Sequence, residues 1–179
     1  KPAPRIRKAL RLTDWAFTPD LQNEGLAGEF YSFAHDAAHW QRVTVPHSFN
    51  HVPPDPVKFD KDTYLGEYRT WYRAGLPRPE LHEDEIAYLH FDSVHLLSDV
   101  WVNGEAVMTG HLGPYPFRLP VTQELRSGPS REVLIAVRVT YLASNQPGFF
   151  SNGLQFAYAA RERPGELAEG DWEDVGWSG

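Results

Sequence analysis

The fold class this sequence predicts is an all-β antiparallel sandwich, a single domain over residues 1–179, and three observations predict it. Aromatic residues make up 13% of the chain beside 14 glycines and 15 prolines, which suits short strands joined by tight turns better than long helices. Runs of alternating apolar residues recur at roughly ten-residue spacing with turn residues between them, the rhythm of a sandwich or barrel. No strand–helix–strand alternation of the kind that builds a parallel sheet is visible, and no repeat or low-complexity linker divides the chain. At 179 residues one core is the default, able to bury roughly two-thirds of the unfolded surface.

Taken in chain order, residues 6–17 form the first element, with Leu10, Leu12, Trp15 and Phe17 as apolar anchors around a Thr13-Asp14 turn. Residues 18–40 are irregular and polar, with a short helix expected across 33–39. Val43-Thr44-Val45 alternates and stops at Pro46, which cannot donate to a ladder, so it reads as a short edge strand. Residues 50–62, holding Pro53, Pro54 and Pro56, read as loop. Residues 66–73 place Tyr68, Thr70 and Tyr72 on one face and Arg69, Trp71 and Arg73 on the other, a half-buried strand ended by Pro77 and Pro79.

Residues 86–91 are the next strand, with Ala87, Leu89 and Phe91 opposite Ile86, Tyr88 and His90. Asp99-Val100-Trp101-Val102, Asn103-Gly104 and Glu105-Ala106-Val107-Met108 then spell a hairpin. Asn-Gly between apolar runs favours a type I′ turn, whose central residues both need positive φ. Val100 and Val102 must share one face and Trp101 the other. Residues 134–141, rich in Ile and Val, read as the last clear strand.

Composition excludes several function classes. A formal charge of −7 repels nucleic acid and acidic membrane surfaces, and no apolar run approaches the roughly 20 residues of a membrane helix. The absence of cysteine removes disulfides, thiolate metal sites and cysteine nucleophiles, and leaves the compartment open. His35 and His39, like His47 and His51, stand four apart, which on a helix would align two imidazoles as in zinc sites. Helical context is missing, so they read as loop histidines, with no metal and no cofactor expected. Glu83-Asp84-Glu85 reads as a solvated loop. Gly176-Trp177-Ser178-Gly179 lacks the strand and helix that a nucleophile elbow requires.

Collinear motifs carry a family resemblance. Trp40-Gln41-Arg42-Val43-Thr44-Val45-Pro46 is followed by Gly66-Glu67-Tyr68-Arg69-Thr70-Trp71-Tyr72-Arg73, then Tyr88-Leu89-His90-Phe91-Asp92-Ser93-Val94, Val100-Trp101-Val102-Asn103-Gly104, and Gly113-Pro114-Tyr115-Pro116-Phe117. In order and spacing the series resembles the N-terminal domain of glycoside hydrolase family 2, the group of β-galactosidases, β-glucuronidases and β-mannosidases. It spans residues 40–141 well and the ends loosely.

The resemblance implies a jelly-roll, galactose-binding-like sandwich that is non-catalytic. Glycoside hydrolysis uses two carboxylates roughly 5 to 10 Å apart. In this family both lie in a (β/α)₈ barrel that follows the sandwich, and this length leaves no room for one. Asn23-Glu24 echoes the dipeptide that carries the family's acid but falls in the irregular N-terminal stretch. The resemblance implies a β-glycoside ligand and, as partners, the barrel and further sandwich domains.

By the same resemblance, Asn50 and Glu173 or Asp174 match positions that help bind sugar in related β-galactosidases. Trp71, Trp101, Tyr115 and Phe117 have two readings, stacking on a pyranose ring or filling a core or domain interface. Residues 165–179 are expected to begin the connection towards the rest of a larger enzyme, with Trp172 and Trp177 near surface that another domain buries. An autonomous carbohydrate-binding module, or an interaction domain that no longer meets sugar, shares the fold and remains an alternative.

Overall fold

A computed structural model describes residues 5–49, 67–128, 130–142 and 153–160. Among them ten strands and one short helix are arranged as two antiparallel sheets. The strands are β1 (Arg5–Leu10), β2 (Asp14–Pro19), β3 (Gln41–Thr44), β4 (Glu67–Pro77), β5 (Glu85–Ser93), β6 (Leu97–Val102), β7 (Glu105–Leu112), β8 (Phe117–Pro120), β9 (Glu132–Leu142) and β10 (Gly153–Ala160); α1 covers Thr122–Ser127. The smaller sheet has the order β1-β10-β5-β8 and the larger, of six strands, β3-β2-β4-β9-β6-β7. The two sheets face one another as the predicted sandwich.

The core between them follows strand parity. Trp15 and Phe17 of β2, Tyr72, Ala74 and Leu76 of β4, Val100 and Val102 of β6, and Val133, Ile135, Val137 and Val139 of β9 project from the larger sheet. Ala87, Leu89 and Phe91 of β5 meet them from the smaller. Each fully buried Val, Ile or Phe contributes about 1.5–3 kcal/mol of transfer free energy, which makes this interdigitated layer the main stabilising term.

The hairpin turns where expected. Asn103 and Gly104 have φ of 53° and 88°, the left-handed pair of a type I′ turn. Asn103 does more than turn the chain. Its Nδ2 donates to the Glu124 carbonyl at 2.8 Å and its Oδ1 accepts from Leu134 N at 3.0 Å, so the turn is clipped to both α1 and β9. α1 in turn is seated by Leu125, buried, and by Thr122 Oγ1, which accepts from Ala87 N at 2.9 Å.

The structure corrects several expectations. Residues 33–39 form turns and bends with no helix. Ser32 Oγ and Asp36 Oδ1 accept the N–H groups of Ala34 and Ala38, two residues on, and this local bonding competes with a helical ladder. Residues 6–17 divide into two strands in different sheets. β4 is buried on both faces over Thr70, Trp71, Tyr72, Arg73 and Ala74 where one buried face was expected. Residues 83–85 are not one solvated run: Glu83 and Asp84 are exposed, but Glu85 is buried at the start of β5, its Oε2 accepting from His82 N at 2.9 Å. β8, α1 and β10 were unforeseen. The 50–62 and 165–179 segments, with Trp172 and Trp177, lie outside the described residues.

Replacing Asn103 with Gly keeps the turn's backbone freedom but leaves the Leu134 N–H and Glu124 C=O without their partner. Asn103→Gly should therefore lower unfolding free energy by about 1–3 kcal/mol in urea titration, whereas a loss below about 0.3 kcal/mol would show that the clip contributes nothing.

Candidate functional site

The outer face of the six-stranded sheet carries a second apolar cluster. Opposite parity to the core sends Ala16 of β2, Trp71 of β4, Trp101 of β6 and Ala136 of β9 outwards, where Trp40 joins them and Phe30, Tyr31 and Ala37 pack on top. Trp71 and Trp101 lie with centroids 5.0 Å apart, and Tyr31 stacks on Trp101 at 5.3 Å with its plane tilted by only 12°. The segment 20–40 thus folds back over the sheet and covers it.

Buried polar groups hold that segment down. Asp20 accepts from Glu24 N at 2.7 Å, Gly25 N at 3.0 Å and the Trp71 indole Nε1 at 3.0 Å. Gly25 has no substitute here, because any Cβ would collide with the Trp71 indole and the Asp20 carboxylate. From β4 the Arg73 guanidinium donates to the carbonyls of His35 at 2.9 Å and Ser32 at 3.0 Å, and lies 5.6 Å from the Trp40 ring centre. Arg138 reaches Asp99 Oδ2 through Nε at 2.9 Å and Nη2 at 2.8 Å.

These contacts correct the reading of Trp71 and Trp101 as sugar platforms. Trp71 has no exposed surface and Trp101 retains 6%, so neither offers a ring face to a ligand while the segment is closed. Tyr115 is the opposite case, 74% exposed beside Leu112 at 68%, in the turn between β7 and β8. That turn is held at both ends. Before it, a bulge in β7 puts Gly110 N on Asp99 Oδ1 at 2.9 Å, and Gly113 N donates to the Leu96 carbonyl at 2.8 Å. After it, Phe117 stacks on Phe91 at 4.7 Å and meets the His111 ring at 4.0 Å. Arg138 lies 6.0 Å from the Trp71 and Trp101 ring centres, so the same carboxylate, Asp99, is tied both to the outer-face cluster and to the approach to Tyr115. Asn50, Glu173 and Asp174 lie outside the described residues, as does His51.

Several titratable groups are committed to structural partners. His47 Nδ1 is 2.9 Å from the buried Tyr72 hydroxyl, and burial lowers its pKa. His90 accepts from Arg118 Nε at Nδ1, 3.2 Å, so its proton resides on Nε2, 3.0 Å from Asp92 Oδ1. Burial lowers the His90 pKa too, against the opposing pull of Asp92. His39 is exposed on the 20–40 segment. Among the described residues each buried carboxylate, Asp20, Glu85 and Asp99, already accepts hydrogen bonds from backbone N–H groups, the Trp71 indole or Arg138. Among the described residues no three His, Asp or Glu side chains converge as a metal set.

Sequence reasoning missed Asp20, Arg73, Asp99 and Arg138. The available signal was aromatic or branched residues on both parities of one strand, Trp71 beside Tyr72 and Trp101 beside Val100, which requires a cover on each face.

No family model matches the chain. It is 30% identical over 126 residues to a β-galactosidase of Thermoanaerobacter pseudethanolicus, a match covering 70% of this chain and 16% of that protein. To the β-glucuronidase of Mus musculus it is 29% identical over 138 residues, covering 73% of this chain and 20% of that one. Among solved structures it superposes on a glycosyl hydrolase family 2 member from Bacteroides cellulosilyticus with a TM-score of 0.62 at 23% identity, over 86% of this chain and 20% of that chain. A β-glucuronidase from an uncultured Clostridium sp. gives a TM-score of 0.65 at 19% identity, over 88% of this chain and 30% of that chain. The chain spans about a fifth or less of the curated relatives it matches. Motif order, sequence similarity and sandwich topology agree, and the chain belongs to glycoside hydrolase family 2 as one of its β-sandwich domains.

Proposed function

We propose that this chain is the non-catalytic, N-terminal sugar-binding and scaffold domain of a family 2 enzyme acting on β-glycosides, where it helps shape the substrate site of a separate catalytic barrel. The observation that carries the reading is its collinear similarity to β-galactosidases and β-glucuronidases over only a small part of their length. The engagement of its buried carboxylates supports the same view. An acid and a nucleophile must face an open cleft, and Asp20, Glu85 and Asp99 are each turned into the fold instead.

Substrate contact is assigned to the periphery. Tyr115 has the exposed aromatic face that a pyranose ring can stack on, and Asn50 with Glu173 or Asp174 are the polar positions proposed to complete the contact. The barrel and further sandwich domains of the parent enzyme are the proposed partners.

A sandwich surface without a barrel pocket buries little of a small ligand, which cannot offset the freedom lost on association. The isolated chain should therefore give no turnover of nitrophenyl β-galactoside, β-glucuronide or β-mannoside. Calorimetry with galactose, glucuronate and mannose should give dissociation constants of about 1 mM or weaker. Turnover would overturn the non-catalytic reading, and micromolar binding abolished by Tyr115→Ala would mark the chain as an autonomous carbohydrate-binding module.

A further inference from the structure

His35 occupies the point where the 20–40 segment is fastened to the sheet. Its backbone carbonyl receives Arg73 Nη1 at 2.9 Å, and its ring packs 4.4 Å from Phe30 and 5.5 Å from Trp40, two members of the outer-face cluster. On balance what surrounds the imidazole disfavours its charged form. Nε2 is shielded from solvent and has no hydrogen-bond partner; the Gly28 backbone favours the charged ring but is outweighed by burial and by Arg73. A proton added at Nε2 would create a buried donor without an acceptor, beside the fixed positive charge of Arg73.

We propose that His35 makes the 20–40 segment a pH-sensitive strap: its protonation on mild acidification releases the segment from the outer face of the six-stranded sheet and uncovers the cluster of Trp40, Trp71 and Trp101.

The charges facing this imidazole come from two elements. Arg73 of β4 and His39 of the segment itself disfavour a charged ring, and Asp36 favours it. Asp36 already accepts from Ala38 N at 2.8 Å. On the same outer face Asp20 is committed to Trp71 and the backbone, and Asp99 to Arg138. Burial is the largest influence, Arg73 the next, and together they lower the His35 pKa below its ordinary value of 6.5.

The sign follows from linkage. The released strap binds the proton more readily than the closed one, so closure is fully favoured above the ordinary histidine pKa and weakens as pH falls below it. Moving His35 also displaces the carbonyl that anchors Arg73, so one protonation removes a packing contact and a hydrogen bond together.

Nuclear magnetic resonance titration of the full chain, with amide hydrogen exchange at about pH 7.5 and about pH 5.5, tests this. His35 should titrate below the ordinary histidine value of about 6.5. Over that range the amides of residues 25–40 should lose a few-fold more protection than those of β4 and β9, with about tenfold as the ceiling for a single proton, after correction for intrinsic exchange. His35→Phe keeps an aromatic ring without a titrating group and should abolish the difference; His35→Gln serves the same purpose if the phenylalanine variant fails to fold. A His35 titrating at or above about 6.5, or an equal loss of protection in the non-titrating variant, would overturn the proposal.

Discussion

The six-stranded sheet must be covered on both sides, and most of what is distinctive in this molecule follows from that constraint. Along β4, Tyr72 points into the sandwich and Trp71 away from it, both without exposed surface. β6 repeats the division with Val100 and Trp101, and β9 with Val137 and Ala136. A sandwich sheet ordinarily presents polar residues to water on its outer face. Here that face carries tryptophans, and the chain supplies its own lid from residues 20–40.

Covering a sheet with irregular chain raises a second problem, because such a segment brings backbone polar groups into an apolar setting. The solution is a small number of buried charges. Asp20 gathers two backbone N–H groups and an indole N–H, and Arg73 satisfies two carbonyls. Asp99 and Arg138 neutralise each other beneath Trp101 while Asp99 also fixes the Gly110 bulge. Removing one member of such a pair leaves a buried charge uncompensated, a cost of about 3–5 kcal/mol. These residues define geometry more than they add stability, and through the bulge that geometry reaches the turn bearing Tyr115.

What could be read from the sequence was whatever is local and periodic. The Asn103-Gly104 turn, the faces of β5 and the facial split of Val100 from Trp101 are dictated by neighbours in the chain. β3 was legible as an edge because of Pro46. α1, at six residues, is too short for a helical period to emerge. β8 is a short edge strand flanked by prolines, and the alternation of Leu154, Phe156 and Tyr158 in β10 is diluted by alanines of low strand preference. The expected helix at 33–39 yielded to local side-chain bonding. Of the site residues, Tyr115 is exposed. Trp71 and Trp101 were picked out for their chemistry, but their burial depends on chain some forty or more positions away, which no local pattern reveals.

The family assignment and the physical account meet at the same residues, since the Trp-Tyr-Arg run that carries the resemblance is the run that divides the two clusters. Strand parity at Trp71 and Tyr72 is thus the central claim, and exchanging the two residues in a single double variant tests it with composition unchanged. The exchange forces an indole into the core, a phenol under Trp101, and breaks both the Asp20 and the His47 hydrogen bonds. Two such mismatches should cost about 4 kcal/mol or more and lower the Tm by about 10 °C, at roughly 2–4 °C per kcal/mol for a domain of this size. A Tm within about 2 °C of the parent chain would contradict the account.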